Sequence, residues 1–312
     1  MPLRALALGL ALTWPASAQA FAACALVKVV DLPVTMHGLR PTIQVAINGT
    51  PEPLAVNSGA FISTLRPKTA SDLKLPHLRN ERFRGVGGIE YRSELTTVDT
   101  LTLSGQVLRD VQFLITPGGG VGDIGQNLLG RADVEYDFAG GAVRLFKSDG
   151  CPGSNMAYWV KGQDYSVLTI NWMNERNPHT NADAAVNGAP VSVTFSSAVG
   201  MSSLSLGAAR RIGLKIDGPG ARYAGLIRGN GPESVKTWIV PVQSFKIGQE
   251  EIRNTELRVI DEAGPGLDAD MILGADFFLS HRIYVANSQH KLYFTYNGGP
   301  VFRLDDPVEA KP

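Results

Sequence analysis

Residues 45–75 read VAINGTPEPLAVNSGAFISTLRPKTASDLKL, and residues 184–214 read AAVNGAPVSVTFSSAVGMSSLSLGAARRIGL. Set at a constant offset of 139, Asn48-Gly49 falls on Asn187-Gly188, Val56 on Phe195 and Leu65 on Leu204. An Asn-Gly pair between two apolar runs signals a tight hairpin, because both central positions of its turn need positive φ. After each hairpin the pattern predicts a short polar turn and an amphipathic helix, Pro67 to Leu73 and Leu206 to Ile212. One supersecondary unit is therefore written twice.

The duplication extends outward. Leu101 to Ile115 alternates like a hairpin, and so does Phe245 to Val259. Ile124-Gly125-Gln126-Asn127-Leu128-Leu129 matches Leu273-Gly274-Ala275-Asp276-Phe277-Phe278, and each leads into a closing hairpin, Val134 to Phe146 and Ile283 to Tyr296. The period is far too long for a solenoid. The expectation is an all-β protein of two homologous lobes with a cleft between them and a few short helices. The lobes should span residues 24–150 and 181–304. The segment 151–180 is the connector, and Gly118-Gly119-Gly120 is a loop inside lobe one. Trp159, Tyr165 and Trp172 predict that the connector packs against something, since a free linker has no use for three large aromatics.

Composition narrows the function. The 312 residues are 44% hydrophobic and 19% charged, enough to fill a core. Lys+Arg and Asp+Glu number 29 each, so the basic excess of a dedicated nucleic-acid binder is missing. No internal window is apolar for the ~20 residues that a membrane helix needs. Residues 1–20 have the form of a signal peptide: Arg4, an apolar run from Ala5 to Leu12, and small-residue cleavage sites at 16–18 and 18–20. An uncut anchor is the alternative, and lipidation at Cys24 is not expected because Phe21 replaces the usual Leu. An exported, periplasmic or extracellular chain keeps disulfides, so Cys24 and Cys151 are expected to bond, with two free thiols as the alternative. The five His stand apart and no Cys/His spacing suits a metal, so neither metal nor cofactor is expected.

These motifs resemble the bilobal aspartic peptidases of the pepsin and retropepsin kind. Leu54-Ala55-Val56-Asn57-Ser58-Gly59-Ala60 is similar to that family's site motif at every position except the Asp, and Ser63 and Leu65 fit its continuation. Gly85-Val86-Gly87-Gly88-Ile89 resembles the substrate-binding flap. The resemblance implies a hairpin tip over the cleft, with Ile89 and Tyr91 near its floor. Ile272-Leu273-Gly274 matches the element that crosses beneath the site. In lobe one that element reads Asp123-Ile124-Gly125, with Asp in place of an aliphatic residue.

The departures bear on chemistry. The family's reaction needs two adjacent carboxylates sharing one proton, one activating water and the other polarising the scissile carbonyl. Here the two positions are Asn57 and Ser196, neither of which is a base at useful pH. Lobe two departs further: Ser197, Ala198 and Val199 stand where lobe one has Ser58, Gly59 and Ala60. Asp123 is read as a solvated or capping residue. No Gly-x-Ser-x-Gly elbow or placed His makes Ser58, Ser196 or Ser197 a nucleophile. The expected function is a monomeric pseudopeptidase whose cleft holds an extended peptide or unfolded segment. An active aspartic endopeptidase and a structural or assembly protein are the alternatives.

Overall fold

The computed structural model describes residues 24–84, 90–116, 120–171, 179–228, 234–261 and 269–304. The signal-like segment, Trp172, Gly118 and Gly119 lie outside them. Lobe one runs β1 (Ala25–Pro33), β2 (Thr35–His37), β3 (Arg40–Ile47), β4 (Thr50–Val56), β5 (Thr64–Leu65), α1 (Pro67–Asp72), β6 (Arg79–Arg84), β7 (Glu90–Leu103) and β8 (Gln106–Ile115). It continues through β9 (Gly122–Ile124), α2 (Gln126–Leu129), β10 (Asp133–Asp137) and β11 (Ala142–Asp149). The connector carries β12 (Ser166–Thr169). Lobe two has β13 (Asn181–Val186), β14 (Ala189–Phe195), β15 (Ser203–Ser205), α3 (Leu206–Arg211), β16 (Arg222–Arg228), β17 (Ser234–Ile247) and β18 (Glu250–Ile260). It ends with β19 (Met271–Leu273), α4 (Ala275–Ser280), β20 (His281–Ala286) and β21 (Lys291–Tyr296).

The two lobe sheets have one topology. Lobe one is ordered β2-β3-β4-β9-β5-β8-β7-β6, and lobe two is β13-β14-β19-β15-β18-β17-β16. Apart from β2, each strand has its counterpart at the same place. Both sheets also curl on themselves, through β3–β7 and β13–β17 pairing, which makes each lobe barrel-like. The Asn-Gly turns fold for the anticipated reason: Asn48 and Gly49 have φ of 47° and 81°, and Asn187 and Gly188 have 50° and 78°. Each Asn carboxamide then pins its hairpin to the curling strand. Asn48 Oδ1 accepts from the Thr100 N–H at 2.9 Å, and Asn187 Oδ1 from the Gln243 N–H at 2.7 Å.

The central strands are covered on both faces. Leu54, Ala55 and Val56 are buried, as are Val193, Phe195 and all of β19. Burying a side chain of this size contributes about 1.5–3 kcal/mol, so these strands anchor the loops that leave them.

The closing hairpins differ from the sequence expectation in one respect. They do not close the lobes separately. Strand β10 pairs with β20, Val134 opposite Val285, and the two hairpins join β1 and β12 in a six-stranded sheet, β1-β11-β10-β20-β21-β12. Hairpin patterning fixes partners within a hairpin but not which outer edge meets which, and an open edge gains by being paired. Buried Glu135 holds this junction by accepting from Arg144 at 2.9 Å and from Arg282 at 2.6 Å. Connector aromatics cover the same sheet. Trp159 Nε1–H donates to Thr295 Oγ1 at 2.9 Å, and the Arg282 guanidinium lies 4.9 Å from the Trp159 ring. Cys24 and Cys151 are bonded with Cα atoms 4.4 Å apart, stapling the start of β1 to the end of β11. Among the described residues no helix is long and apolar enough to cross a membrane.

Candidate functional site

Strands β4 and β14 each run parallel to a short strand, β9 and β19, and each ends in a loop where the lobes meet. The Asn57 N–H donates to Ile124 O at 2.9 Å, and the Ser196 N–H to Leu273 O at 2.9 Å. These bonds fix the first residue of each loop over its own lobe. The second residues cross between lobes. The Ser58 N–H donates to Ser197 Oγ and the Ser197 N–H to Ser58 Oγ, both at 3.0 Å. The Ser58 hydroxyl donates to Phe195 O at 2.9 Å, and the Ser197 hydroxyl to Val56 O at 2.7 Å. Both serines are buried, so four hydrogen bonds with pseudo-twofold symmetry satisfy every group that the crossing takes from water.

This clasp sets Asn57 and Ser196 at the lobe junction. A Cβ added to Gly59 would lie 2.3 Å from Ser196 Oγ, so the Gly59 backbone and the Ser196 side chain are in direct contact. The Gly59 N–H donates to Asn57 Oδ1 at 3.0 Å. The Asn57 side chain also acts on Asp123, lowering its pKa slightly. Ala198 stands half-buried in the equivalent place of the second loop.

Asp123 is neither solvated nor a cap, and the sequence reading of it is corrected. It lies on β9 opposite Ala55, where Thr64 Oγ1 donates to Oδ2 at 3.1 Å and Arg40 Nη2 donates to Oδ1 at 3.2 Å. Its side chain is 15% exposed. Burial pushes the carboxyl above the ordinary range, while Arg40, Thr64 and Asn57 pull it back only in part. Arg40 lies 83 residues from Asp123 in sequence; β3 pairing with β4 brings it to the site, and no local pattern announces it.

Residues 85–89, the tip read as a flap, lie outside the described residues, as does the Tyr91 side chain. The hairpin beneath that tip is described: β6 pairs with β7 as far as Arg84 opposite Glu90. Lobe two has the counterpart, β16 pairing with β17 as far as Arg228 opposite Ser234. Strands β7 and β17 are each 14 residues long. The sequence reading missed this second hairpin. Its signal was present in Gly229-Asn230-Gly231-Pro232, which lies between two alternating runs at the same place in the repeat.

A model of aspartyl proteases matches residues 43–132 and 182–277, one match in each lobe and more than half of the chain together. The chain belongs to the aspartyl protease family. The two matches make it a bilobal, retropepsin-like member, with one match in each of two lobes of the same strand order. A search of curated proteins found no match. At the start of the two loops that meet between the lobes, the chain presents the Asn57 carboxamide and the Ser196 hydroxyl. Both can hold water or a carbonyl by hydrogen bonds, and neither can accept a proton at neutral or mildly acidic pH. Among the described residues no group of three or more His, Cys, Asp or Glu could hold a metal ion.

Proposed function

We propose that this aspartyl protease-family chain is an exported, monomeric pseudopeptidase that binds extended peptide between its lobes without hydrolysing it. The observation that carries the reading is that Asn57 and Ser196, the residues just before the fully formed Ser58–Ser197 clasp, are a carboxamide and a hydroxyl, with Ser196 in contact with Gly59. The scaffold that positions a dyad is kept, and both proton-handling groups are replaced. Peptide binding does not need them. An extended segment is held by main-chain hydrogen bonds to strand edges and by pockets for alternate side chains. The paired hairpins β6–β7 and β16–β17 supply such edges from both lobes. Export is supported by the signal-like N-terminus and the Cys24–Cys151 bond.

One observation favours a second reading. Asp123 is a buried carboxyl with a raised pKa, held by Arg40 and Thr64 on the strand that runs beside the Asn57 loop, and it could act as a solitary acid or base. A fluorogenic peptide pool assayed from roughly pH 3 to 7 separates the two. The unmodified chain should bind peptides and release no product. Asn57→Asp alone should also be inactive, because a single carboxylate has no partner for the shared proton. Asn57→Asp with Ser196→Asp should give acid-shifted cleavage, since dyad members act as a unit. Cleavage by the unmodified chain that disappears in Asp123→Asn would establish the second reading instead.

A further inference from the structure

The repeat supplies an internal control for a cavity lined by residues of lobe one alone. Helices α1 and α3 end in the same hydrogen-bonded cap. After α1, the Leu75 N–H donates to Ala70 O and the Lys74 N–H to Ser71 O, both at 3.0 Å. After α3, the Leu214 N–H donates to Ala209 O at 2.9 Å and the Gly213 N–H to Arg210 O at 3.1 Å. This cap requires one residue in the left-handed region. Lobe two places Gly213 there, at φ 80°. Lobe one places Lys74 at φ 52°, a conformation that a side chain with a Cβ resists.

Strain of this kind points to a use for the side chain. Lys74 lines a cavity of about 670 Å³ together with Ser71, His77, Arg92 and Glu94. The charges there do not cancel. His77 Nδ1 is bonded to Glu94, so the single carboxylate is already engaged. Among the described residues neither Lys74 nor Arg92 has an ion-pair partner. The nearest acid on the helix, Asp72, is held by Lys68 at 2.7 Å. Two uncommitted cations and a hydroxyl therefore face one open cavity.

We propose that this cavity is a binding site for a phosphate-sized oxyanion, free or as a small phosphomonoester, with Lys74 and Arg92 as its charged ligands and Ser71 as a hydrogen-bond donor. The chemistry fits. Lys and Arg give charge-assisted bonds to oxyanions, and a planar guanidinium can do so through two donors. None of its residues belongs to the Asn57 and Ser196 loops, but Arg92 and Glu94 stand on β7 of the hairpin offered for peptide, so the test reads phosphate alone, with no peptide present.

The test uses the full chain and thermal unfolding in inorganic phosphate against chloride at equal ionic strength. Phosphate should raise Tm by about 2 °C or more once it is well above its Kd. Lys74→Gly should raise Tm in chloride, because the strained position gains the residue it favours, and should lose the phosphate increment. The variant is expected to fold better than the parent, so loss of binding cannot be laid to unfolding. Arg92→Gln should also lose the increment, and Lys68→Gln, on the same helix outside the cavity, should keep it. O-phosphoserine run beside phosphate assigns the source: a larger rise with the monoester marks an organic ligand, an equal or smaller one the free ion. The proposal is overturned if phosphate gives no rise over chloride in the parent, or if Lys74→Gly retains it.

Discussion

Lobe one and lobe two share a strand order, turn chemistry and helix caps, yet differ at particular positions beside the lobe junction and along one cavity. Ser58 and Ser197 are the same residue doing the same work. So are Ser63 and Ser202, whose hydroxyls each accept from the glycine N–H of the crossing element at 2.9 Å. By contrast, Asn57 corresponds to Ser196, Gly59 to Ala198, Asp123 to Ile272 and Lys74 to Gly213. A position that satisfies buried backbone has few solutions, because each orphaned group costs ~1–3 kcal/mol. A position that handles a ligand is free to change when the ligand or the chemistry changes.

The comparison can be tested by unequal and equal substitutions. The largest effect is expected at the clasp. Ser58→Ala orphans the Ser197 N–H and Phe195 O, and Ser197→Ala orphans the Ser58 N–H and Val56 O. Each should cost about 2–4 kcal/mol in urea unfolding. The two costs should be alike, because each variant orphans one N–H and one carbonyl and no bond is lost in both. Markedly different costs would break the claim that the clasp is symmetric.

Next is the Gly59 position, where the lobes should respond oppositely. Gly59→Ala drives a Cβ into Ser196 Oγ and should fall at the upper end of the ~1–3 kcal/mol overpacking range. Gly59→Ala combined with Ser196→Gly should recover much of that loss, which separates a clash from a backbone effect.

Asp123 is expected to show itself through pH. Its folded pKa is raised, chiefly by burial, so the neutral carboxyl is the form that the fold favours. Its contribution is fully present below the ordinary value of 3.8 and is lost as pH rises through the folded value. Relative to Asp123→Asn, the parent should therefore be most stable near pH 3, and its advantage should shrink as urea melts move to pH 5 and 7. An advantage growing with pH would mean that the Arg40 charge outweighs burial. The smallest change is Ala198→Gly. It removes one methyl from a half-buried loop residue and should cost only about 0.4–1 kcal/mol, mostly through the freer unfolded chain.

Much of the fold was legible because it rests on local rules repeated twice. The Asn-Gly turns, the apolar alternation of the hairpins and the seven-residue helical pattern each act within a few residues, and a second copy at a fixed offset reinforces each signal. The site loops were legible as motifs for the same reason. The second hairpin at β16–β17 was written just as plainly and was passed over, because its glycines do not match those of lobe one. Arg40 was out of reach. Its partnership with Asp123 spans 83 residues and depends on how β3, β4 and β9 lie side by side.

The sequence by itself determined that two copies of one β-rich lobe exist, and that neither site loop carries a carboxylate. Identity and spacing settle both, and no folding can add an Asp to position 57 or 196. Only the tertiary structure decided how the copies meet: Ser58 clasping Ser197, β10 pairing with β20, Asp123 turned between Asn57 and Arg40, and Lys74 held left-handed over a cavity. These are contacts between segments tens to more than a hundred residues apart. They are selected by the burial and hydrogen-bond satisfaction of the whole chain, and local pattern carries no term for that.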